Sequence, residues 1–404
     1  MTIRVLHFVK TSDGAQWAAR QARVLRDLGV EVHVALPSSV GMAVSTWKRA
    51  GSVLHYVDAN LPVRRPWLLG ATLESVRRLV DELKPDLIHS HFVSTTCTLR
   101  LALGKDHSIK RLYQVAGPLH LENPITRQFE IGLAGQSDFW IGSSRCIGDW
   151  YCRSGVAQNR VFLSYYGFEV AGLLAKANSS NHLRPDKGRL VVGNVNWMYP
   201  PKYYLGQTVG LKCHEDVIDA LGLAIKANPM IYGRLVGGAL GAGKWYEERL
   251  RKRAQRVGGD CIELPGQLSP EEAPKTWETI DLAVHVPLSE NCGGVLEPFI
   301  FGVPVIASQV GGLPEVVMDN VTGFLVPPRR PDLLAQTILK VIDDWPRARQ
   351  LAQVGKRLVV EMFDVERTAR EVHGIYQYVL GQTGQPPAAF DSQKFVETLK
   401  MPTN

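Results

Sequence analysis

The sequence contains no apolar run near the roughly 20 residues needed to cross a bilayer, which leaves out a helical membrane-spanning protein. It has no Cys-x-x-Cys pair; Cys97, Cys146, Cys152, Cys213, Cys261 and Cys292 are scattered. That spacing frames neither a disulfide network nor a zinc site, and the expected compartment is the reducing cytosol. Met1–Lys10 lacks a long apolar stretch and a small-residue cleavage site, and reads as a first strand rather than a signal peptide. There is no RNA-binding aromatic signature, zinc finger or basic-region heptad, so nucleic acid is excluded as the expected partner. No short-period repeat is visible. What remains is ordinary in bulk: 404 residues, 45% hydrophobic and 21% charged. That length is too great for one core, and two domains are expected. A net charge of +7 suits an anionic partner, a nucleotide or a phospholipid surface.

Strand and helix signals alternate along the chain. Ile3–Val9 is short and β-branched, a helical stripe of Ala18, Ala22, Leu25 and Leu28 follows, and Gly29 stops it before the strand Val30–Leu36. Further strands are expected at Leu87–His89, Arg111–Val115, Phe139–Ile141 and Val161–Tyr165. The polar stretch 171–187 reads as a linker. Alternation then resumes with strands Leu190–Val195, Tyr232–Val236, Cys261–Leu264 and Leu282–Val286, and helices Glu215–Ala227, Trp245–Val257 and Glu271–Glu278. After Pro304–Ala307 and Gly323–Val326 the pattern is helical: Pro331–Asp344, Arg347–Phe363 and Val365–Leu380. Such alternation argues for α/β architecture, parallel sheets with helices on both faces. The expected division is 1–170 as an N-terminal domain, 171–187 as linker and 188–364 as a second domain. Residues 365–385 form a C-terminal helix that can cross back to the first domain, and 386–404 a loose tail.

The most informative stretch runs from Ser289 through Glu290-Asn291-Cys292-Gly293-Gly294-Val295-Leu296-Glu297-Pro298 to Pro304. It follows a strand, so it occupies a strand-to-helix turn. Gly293 and Gly294 let backbone N–H groups of the turn, through Val295 and Leu296, approach an anion. Pro298 fits a first helical turn and sets Glu297 at the helix mouth. There its carboxylate can accept hydrogen bonds from a vicinal diol, or simply cap its own helix. Gly210-Leu211-Lys212-Cys213-His214 precedes another helix, where Lys212 can neutralise an anion. His120, in Gly117-Pro118-Leu119-His120, lies just past a strand end. His89 and His91 read as core residues and suggest no metal site without further ligands. Arg64-Arg65-Pro66-Trp67-Leu68, followed by Arg77-Arg78, fits either a docking element for anionic lipid or a solvated basic face.

Glu290 to Glu297, Gly302-Val303-Pro304-Val305-Ile306-Ala307, Gly311-Gly312-Leu313-Pro314-Glu315 and Gly323-Phe324-Leu325-Val326 together resemble the donor-site block of family-four retaining glycosyltransferases. Weaker matches, including Lys84-Pro85-Asp86-Leu87-Ile88-His89-Ser90-His91, extend the resemblance over roughly residues 1–380. It implies two Rossmann-like doubly wound domains facing across a cleft, the GT-B architecture. By the same resemblance Glu297 holds the nucleotide ribose, Glu290 faces the transferred sugar, and Lys212 meets the leaving diphosphate. His120 contacts the sugar, and Asp13-Gly14 forms the acceptor-side glycine loop. Two departures stand out. The family leaves seven residues between its glutamates where this chain has six, which puts Ser289 in the first glutamate's place. The arginine that usually accompanies the lysine is also missing. Asn194 stands there, and Lys202 is the substitute offered.

The implied activity is transfer of a sugar, with retention, from a nucleotide-diphosphate sugar to a hydroxyl of a glycan, glycolipid or small molecule. UDP-sugars are favoured over GDP-sugars as donor, with no cofactor and no metal. The catalytic set is His120, Lys212 and Glu290; the donor-binding set is Lys202, Lys212, Glu290, Gly293, Gly294, Val295, Leu296 and Glu297. The expected location is cytoplasmic, with peripheral membrane contact through the Arg64 region. A nucleotide-sugar epimerase of the same architecture, or a non-catalytic nucleotide-sugar binding subunit, fits the same residues.

Overall fold

The computed structural model describes residues 2–177, 188–203, 206–239, 243–269, 272 and 274–400. Two compact units emerge: Met1–Glu169 with Met362–Phe390, and Val170–Glu361 with Asp391–Asn404.

In the first unit, strands β1 (Arg4–Phe8), β2 (Glu31–Leu36), β3 (Val53–Tyr56), β4 (Leu87–Ser90), β5 (Lys110–Val115), β6 (Asp138–Gly142) and β7 (Val161–Leu163) form a parallel sheet ordered β3-β2-β1-β4-β5-β6-β7. The order reverses between β1 and β4, which register His7 against His89. The centre is apolar on both faces, as a sheet covered by helices must be. Val5, Leu6, Phe8, Leu87 and Ile88 are all fully buried. The helix Gln16–Asp27 lays Ala18, Ala22 and Leu25 on this core, and Gly29 at φ +89° ends it. The strand β3 is absent from the sequence expectation. It lies at the sheet edge, partly exposed, and its Val53-Leu54-His55-Tyr56 carries no clean alternation.

The helix Val365–Val379 belongs to this unit. Asp364 caps it by accepting from Arg367 N (2.8 Å), and Val365, Ala369, Val372, Ile375 and Tyr376 are buried with the β1–β2 core. The chain entering it is stitched to 167–168. Phe168 N–H donates to Phe363 O (2.7 Å) and Val365 N–H to Phe168 O (3.1 Å).

In the second unit, β8 (Leu190–Val195), β9 (Ile231–Val236), β10 (Ile262–Gly266), β11 (Leu282–His285), β12 (Val305–Ser308) and β13 (Phe324–Val326) form a parallel sheet ordered β10-β9-β8-β11-β12-β13. The order again reverses at β8–β11, the place where doubly wound sheets leave room for a ligand. The helix His214–Ala227 follows β8 and buries Val217, Ile218, Leu221 and Ala224 in the core. Its neighbour Lys244–Gly258 is strongly basic, and part of that charge is paired. Arg253 forms a two-pronged bond with Asp219, and Arg251 pairs with Glu247.

Three sequence expectations are corrected. The segment 171–187 is not wholly linker, since Val170–Ala177 is a helix of the second unit; residues 178–187 lie outside the described residues. The helix expected at Glu271–Glu278 is a 3₁₀ helix at Pro274–Thr279, with Glu271 and Ala273 outside the described residues. The expected tail 386–404 contains the helix Ser392–Lys400, in which Ser392 and Val396 are buried; residues 401–404 lie outside the described residues. Ser392, Phe395, Val396 and Leu399 repeat at helical spacing, a pattern that the nearby Pro386-Pro387 obscures.

Candidate functional site

The site is built where β11 ends. The chain runs Val286-Pro287-Leu288-Ser289-Glu290, turns through the 3₁₀ helix Gly293–Val295 and enters the five-residue helix Leu296–Ile300. Two close approaches fix the first half of this turn. Leu288 N–H donates to Leu211 O (2.9 Å), which ties it to the loop ahead of the helix His214–Ala227. Gly311, at φ +54°, lies so near that a Cβ would stand 1.8 Å from Glu290 O, while Gly312 N–H donates to that oxygen (3.3 Å). Only glycine fits at 311, for both its φ and the contact.

The Lys212 loop is fixed equally firmly. A Cβ on Gly210 would meet Tyr246 Oη at 2.1 Å, and Tyr246 donates to Glu215 Oε2 (2.8 Å). Cys213 is a non-glycine residue in the left-handed region, φ +50°, a strained conformation that starts the helix and aims Lys212.

These two loops bring Lys212 and Glu290 together as an ion pair, each side chain 16% exposed. His285 Nε2 lies 3.2 Å from the same carboxylate oxygen, and Asn291 N–H donates to the other oxygen, Oε1 (3.1 Å). Burial alone would raise the Glu290 pKa; the Lys212 charge and the His285 hydrogen bond outweigh it and hold the carboxyl far below the usual range. Glu290 is therefore an ionised, fixed acceptor. Ser289 is buried, and Glu290 is the residue that meets Lys212.

Glu297 stands at the second position of the short helix, with Pro298 beside it in the first turn. Its carboxylate accepts from Trp277 Nε1 (3.0 Å), and no side chain caps this helix. Glu297 is thus not its helix's cap. Gly293 is exposed, whereas Gly294 is half-buried. Val295 and Leu296 have fully buried side chains and can offer a ligand only their main chain. Asn194, on β8, is buried, and its amide has no partner among the described residues. Lys202 is an exposed loop residue whose backbone N–H donates to Gln207 Oε1 (3.0 Å).

The remaining expected residues belong to the first unit. His120, in the short helix Leu119–Glu122, is half-buried and bonded to Tyr151 Oη (3.1 Å), and burial lowers its pKa. Asp13 is exposed and accepts from Met42 N (3.3 Å). Gly14 has space for a side chain. The close approach in that loop is made by Gly41, φ +152°, where a Cβ would stand 2.2 Å from Ser12 O. His89 and His91 are fully buried, and the fold adds His7, with one nitrogen of each within 4.8 Å of the others. Three neutral imidazoles can in principle ligate a metal. Here His7 Nδ1 pairs with His91 Nε2 (2.9 Å), His91 Nδ1 with Tyr166 Oη (3.1 Å) and His89 Nδ1 with Tyr376 Oη (2.5 Å), a hydrogen-bonded core.

Sequence reasoning missed His285, Trp277, Gly41 and the Gly311 contact. A polar residue closing the apolar run Leu282-Ala283-Val284 was the available signal for His285; nothing in the sequence marks Trp277 as a neighbour of Glu297.

Two doubly wound parallel units, the second with a lysine and two glutamates at its strand-end switch point, define a GT-B-type fold. Solved structures share it: HepE of Anabaena in complex with UDP-glucose superposes with a TM-score of 0.71 at 19% identity, covering 94% of this chain and all (100%) of that one. The families described as Glycosyltransferase Family 4 and Glycosyl transferases group 1 match residues 14–171 and 202–358, and the chain belongs to these glycosyltransferases. Among similar proteins, a D-inositol 3-phosphate glycosyltransferase of Streptomyces bingchenggensis is 28% identical over 52% of this chain and 48% of its own length. A GDP-mannose-dependent alpha-(1-6)-phosphatidylinositol monomannoside mannosyltransferase of Mycobacterium tuberculosis is 31% identical over 39% and 44%. The chain thus spans less than half the length of these curated relatives.

Proposed function

We propose that this chain transfers a sugar, with retention at the anomeric carbon, from a nucleotide-diphosphate sugar to a hydroxyl of a glycan, glycolipid or small-molecule acceptor. The observation that carries the reading is the Lys212–Glu290 pair at the end of β11, in the same strand-to-helix turn as Glu297. Lys212, beside the N-terminus of a helix, neutralises charge that grows on the leaving diphosphate. Glu297 accepts from the ribose diol, and Glu290 accepts from hydroxyls of the transferred sugar. His120 contacts that sugar, and Lys202 supplements Lys212. Catalysis is then positional and electrostatic, without a resident metal. HepE was crystallised with UDP-glucose, and the mycobacterial relative uses GDP-mannose. UDP-sugars are favoured here, with GDP-sugars the second choice. We place the activity in the cytosol, in keeping with six cysteines that form no disulfide, with the Arg64 region against anionic membrane.

A thermal-shift screen against UDP, GDP, ADP and TDP and their sugars tests the donor, since a ligand of the native state raises its stability. Product analysis then separates transfer from epimerisation. A new glycoside with the correct acceptor supports the reading; interconversion of the donor sugar without acceptor, or binding without turnover across acceptors, overturns it.

A further inference from the structure

His285 is the last residue of β11, and its side chain is only 4% exposed, yet it is polar where the rest of the strand is Leu282-Ala283-Val284. An imidazole in such a place needs partners for both nitrogens, because an unpaired buried polar atom is costly. It has them. Nδ1 lies 3.2 Å from Asn196 Nδ2 and Nε2 lies 3.2 Å from Glu290 Oε2. The carboxylate settles the tautomer. An ionised Glu290 can only accept, so Nε2 carries the proton and donates, and Nδ1 accepts from the Asn196 amide.

Three separate segments hold this one ring. Asn196 sits just past β8, with its N–H donating to Val236 O (2.9 Å) and its carbonyl so close to Gly237 that a Cβ there would stand 1.9 Å away. The ring itself is seated by β11. The third segment is the glycine turn: a Cβ on Gly294 would lie 2.1 Å from His285 Nε2. Gly294 thus makes room for an imidazole, a different task from the anion approach that the turn's sequence suggests. Lys212 and His285 both engage Oε2 of Glu290. The carboxylate is therefore gripped on Oε2, while Oε1 accepts from Asn291 N–H and keeps a further lone pair, so its rotation is fixed.

We infer that His285 is a positioning residue for Glu290: its Nε2–H donates to one carboxylate oxygen and so presents the other to the sugar of the donor, with Asn196 and Gly294 holding the ring. The role rests on the donor-site reading given above. Lys212 alone would not suffice, because a flexible lysine exerts its pull from many positions, whereas a ring clamped at both nitrogens sets an angle.

The paired substitutions His285→Gln and His285→Asn separate positioning from mere filling. Glutamine extends an amide N–H to the place of Nε2, while asparagine reaches only the place of Nδ1. His285→Gln should keep donor turnover within about threefold of the parent, and His285→Asn should lower kcat by about 10- to 100-fold, the scale of a misplaced catalytic group. Both should bind free UDP or GDP, measured by calorimetry, as the parent does. Gly294→Ala should reproduce His285→Asn, since its new Cβ displaces the ring. His285→Asn combined with Glu290→Ala should be no slower than Glu290→Ala alone. Thermal melts of each variant report any loss of fold separately. Equal turnover by the Gln and Asn variants, or multiplicative losses in the double variant, overturns the positioning role. A parent protein that binds no nucleoside diphosphate and turns over no donor refutes the donor-site reading instead, and the role of His285 falls with it.

Discussion

At the scale of single residues, the two glutamates of the turn have different surroundings and so different expected parts. Glu290 is already held by Lys212, His285 and Asn291, whereas Glu297 has the Trp277 indole. A carboxylate accepting two ribose hydroxyls makes charge-assisted bonds worth about 1.5–3 kcal/mol each, so Glu297→Ala should weaken nucleotide binding roughly tenfold to several hundredfold. Glu290→Ala should lower turnover and spare affinity for the free nucleoside diphosphate. Calorimetry with nucleotide alone, beside donor kinetics, distinguishes them, and the opposite pattern would reverse the assignment. The buried histidines give a pH prediction. Burial lowers the His7 pKa to about 3 and holds His89 and His91 well below 6.5. Between about pH 6.5 and 3 the unfolded chain therefore binds more protons than the folded one. The stability due to neutral His7 is complete above pH 6.5 and is lost as the pH falls, at about 1.4 kcal/mol per pH unit for each such group. Urea midpoints should drop clearly from pH 7 to pH 5, and less in a folded His7→Gln variant.

At the scale of elements, the junction between residue 167 and the helix Val365–Val379 is close enough to test. A Cβ on Gly167 would stand 2.3 Å from Thr368 Oγ1 and 2.5 Å from Val365 Cα. Gly167→Ala must push that helix off its seat, at a cost of about 1–3 kcal/mol by overpacking. A lowered Tm measures it; an unchanged Tm would mean that the seat yields freely. The turn ahead of the helix Leu69–Leu83 carries the other element-scale prediction. Val63 and Trp67 are 77% and 75% exposed, and Arg64 and Arg65 are exposed beside them. Basic residues flanking apolar tips suit an anionic surface. Replacing Arg64 and Arg65 by Glu should weaken sedimentation with phosphatidylserine vesicles, and equal binding by the variant would leave only a solvated basic turn. Nearly all strands, the helix Gln16–Asp27 and the long helices of the second half were legible because their apolar spacing is regular, whereas Met42–Arg49, Leu69–Leu83, Val93–Leu103 and Arg145–Arg153 of the first unit were not placed. Two further misses differ in cause: β3 is half exposed and has no clean alternation, and the helical spacing of Ser392–Lys400 is short and follows prolines.

At the scale of the whole molecule, the proposed chemistry uses Lys212 and a helix terminus where other transferases use a divalent cation. Activity should therefore survive chelation; complete loss restored by manganese or magnesium would overturn that.

The sequence by itself determined the alternation of strands and helices and hence two parallel α/β units, because side-chain period dictates local structure. It also marked the turn from Ser289 to Pro298 and the lysine loop, because glycines and a proline at strand-to-helix junctions restrict the backbone wherever they occur. Only the tertiary structure decided which groups meet. Lys212 and Glu290 are 78 positions apart, and their contact depends on Leu288 bonding Leu211 and on Gly311 lying against Glu290. His285 and Asn196, 89 positions apart, meet because β8 and β11 are neighbours in the sheet. Distance along the chain carries no record of which loops pack together. That is why Glu290 rather than Ser289 faces the lysine, and why the polar His285 near the end of a strand shows its partner only in the fold.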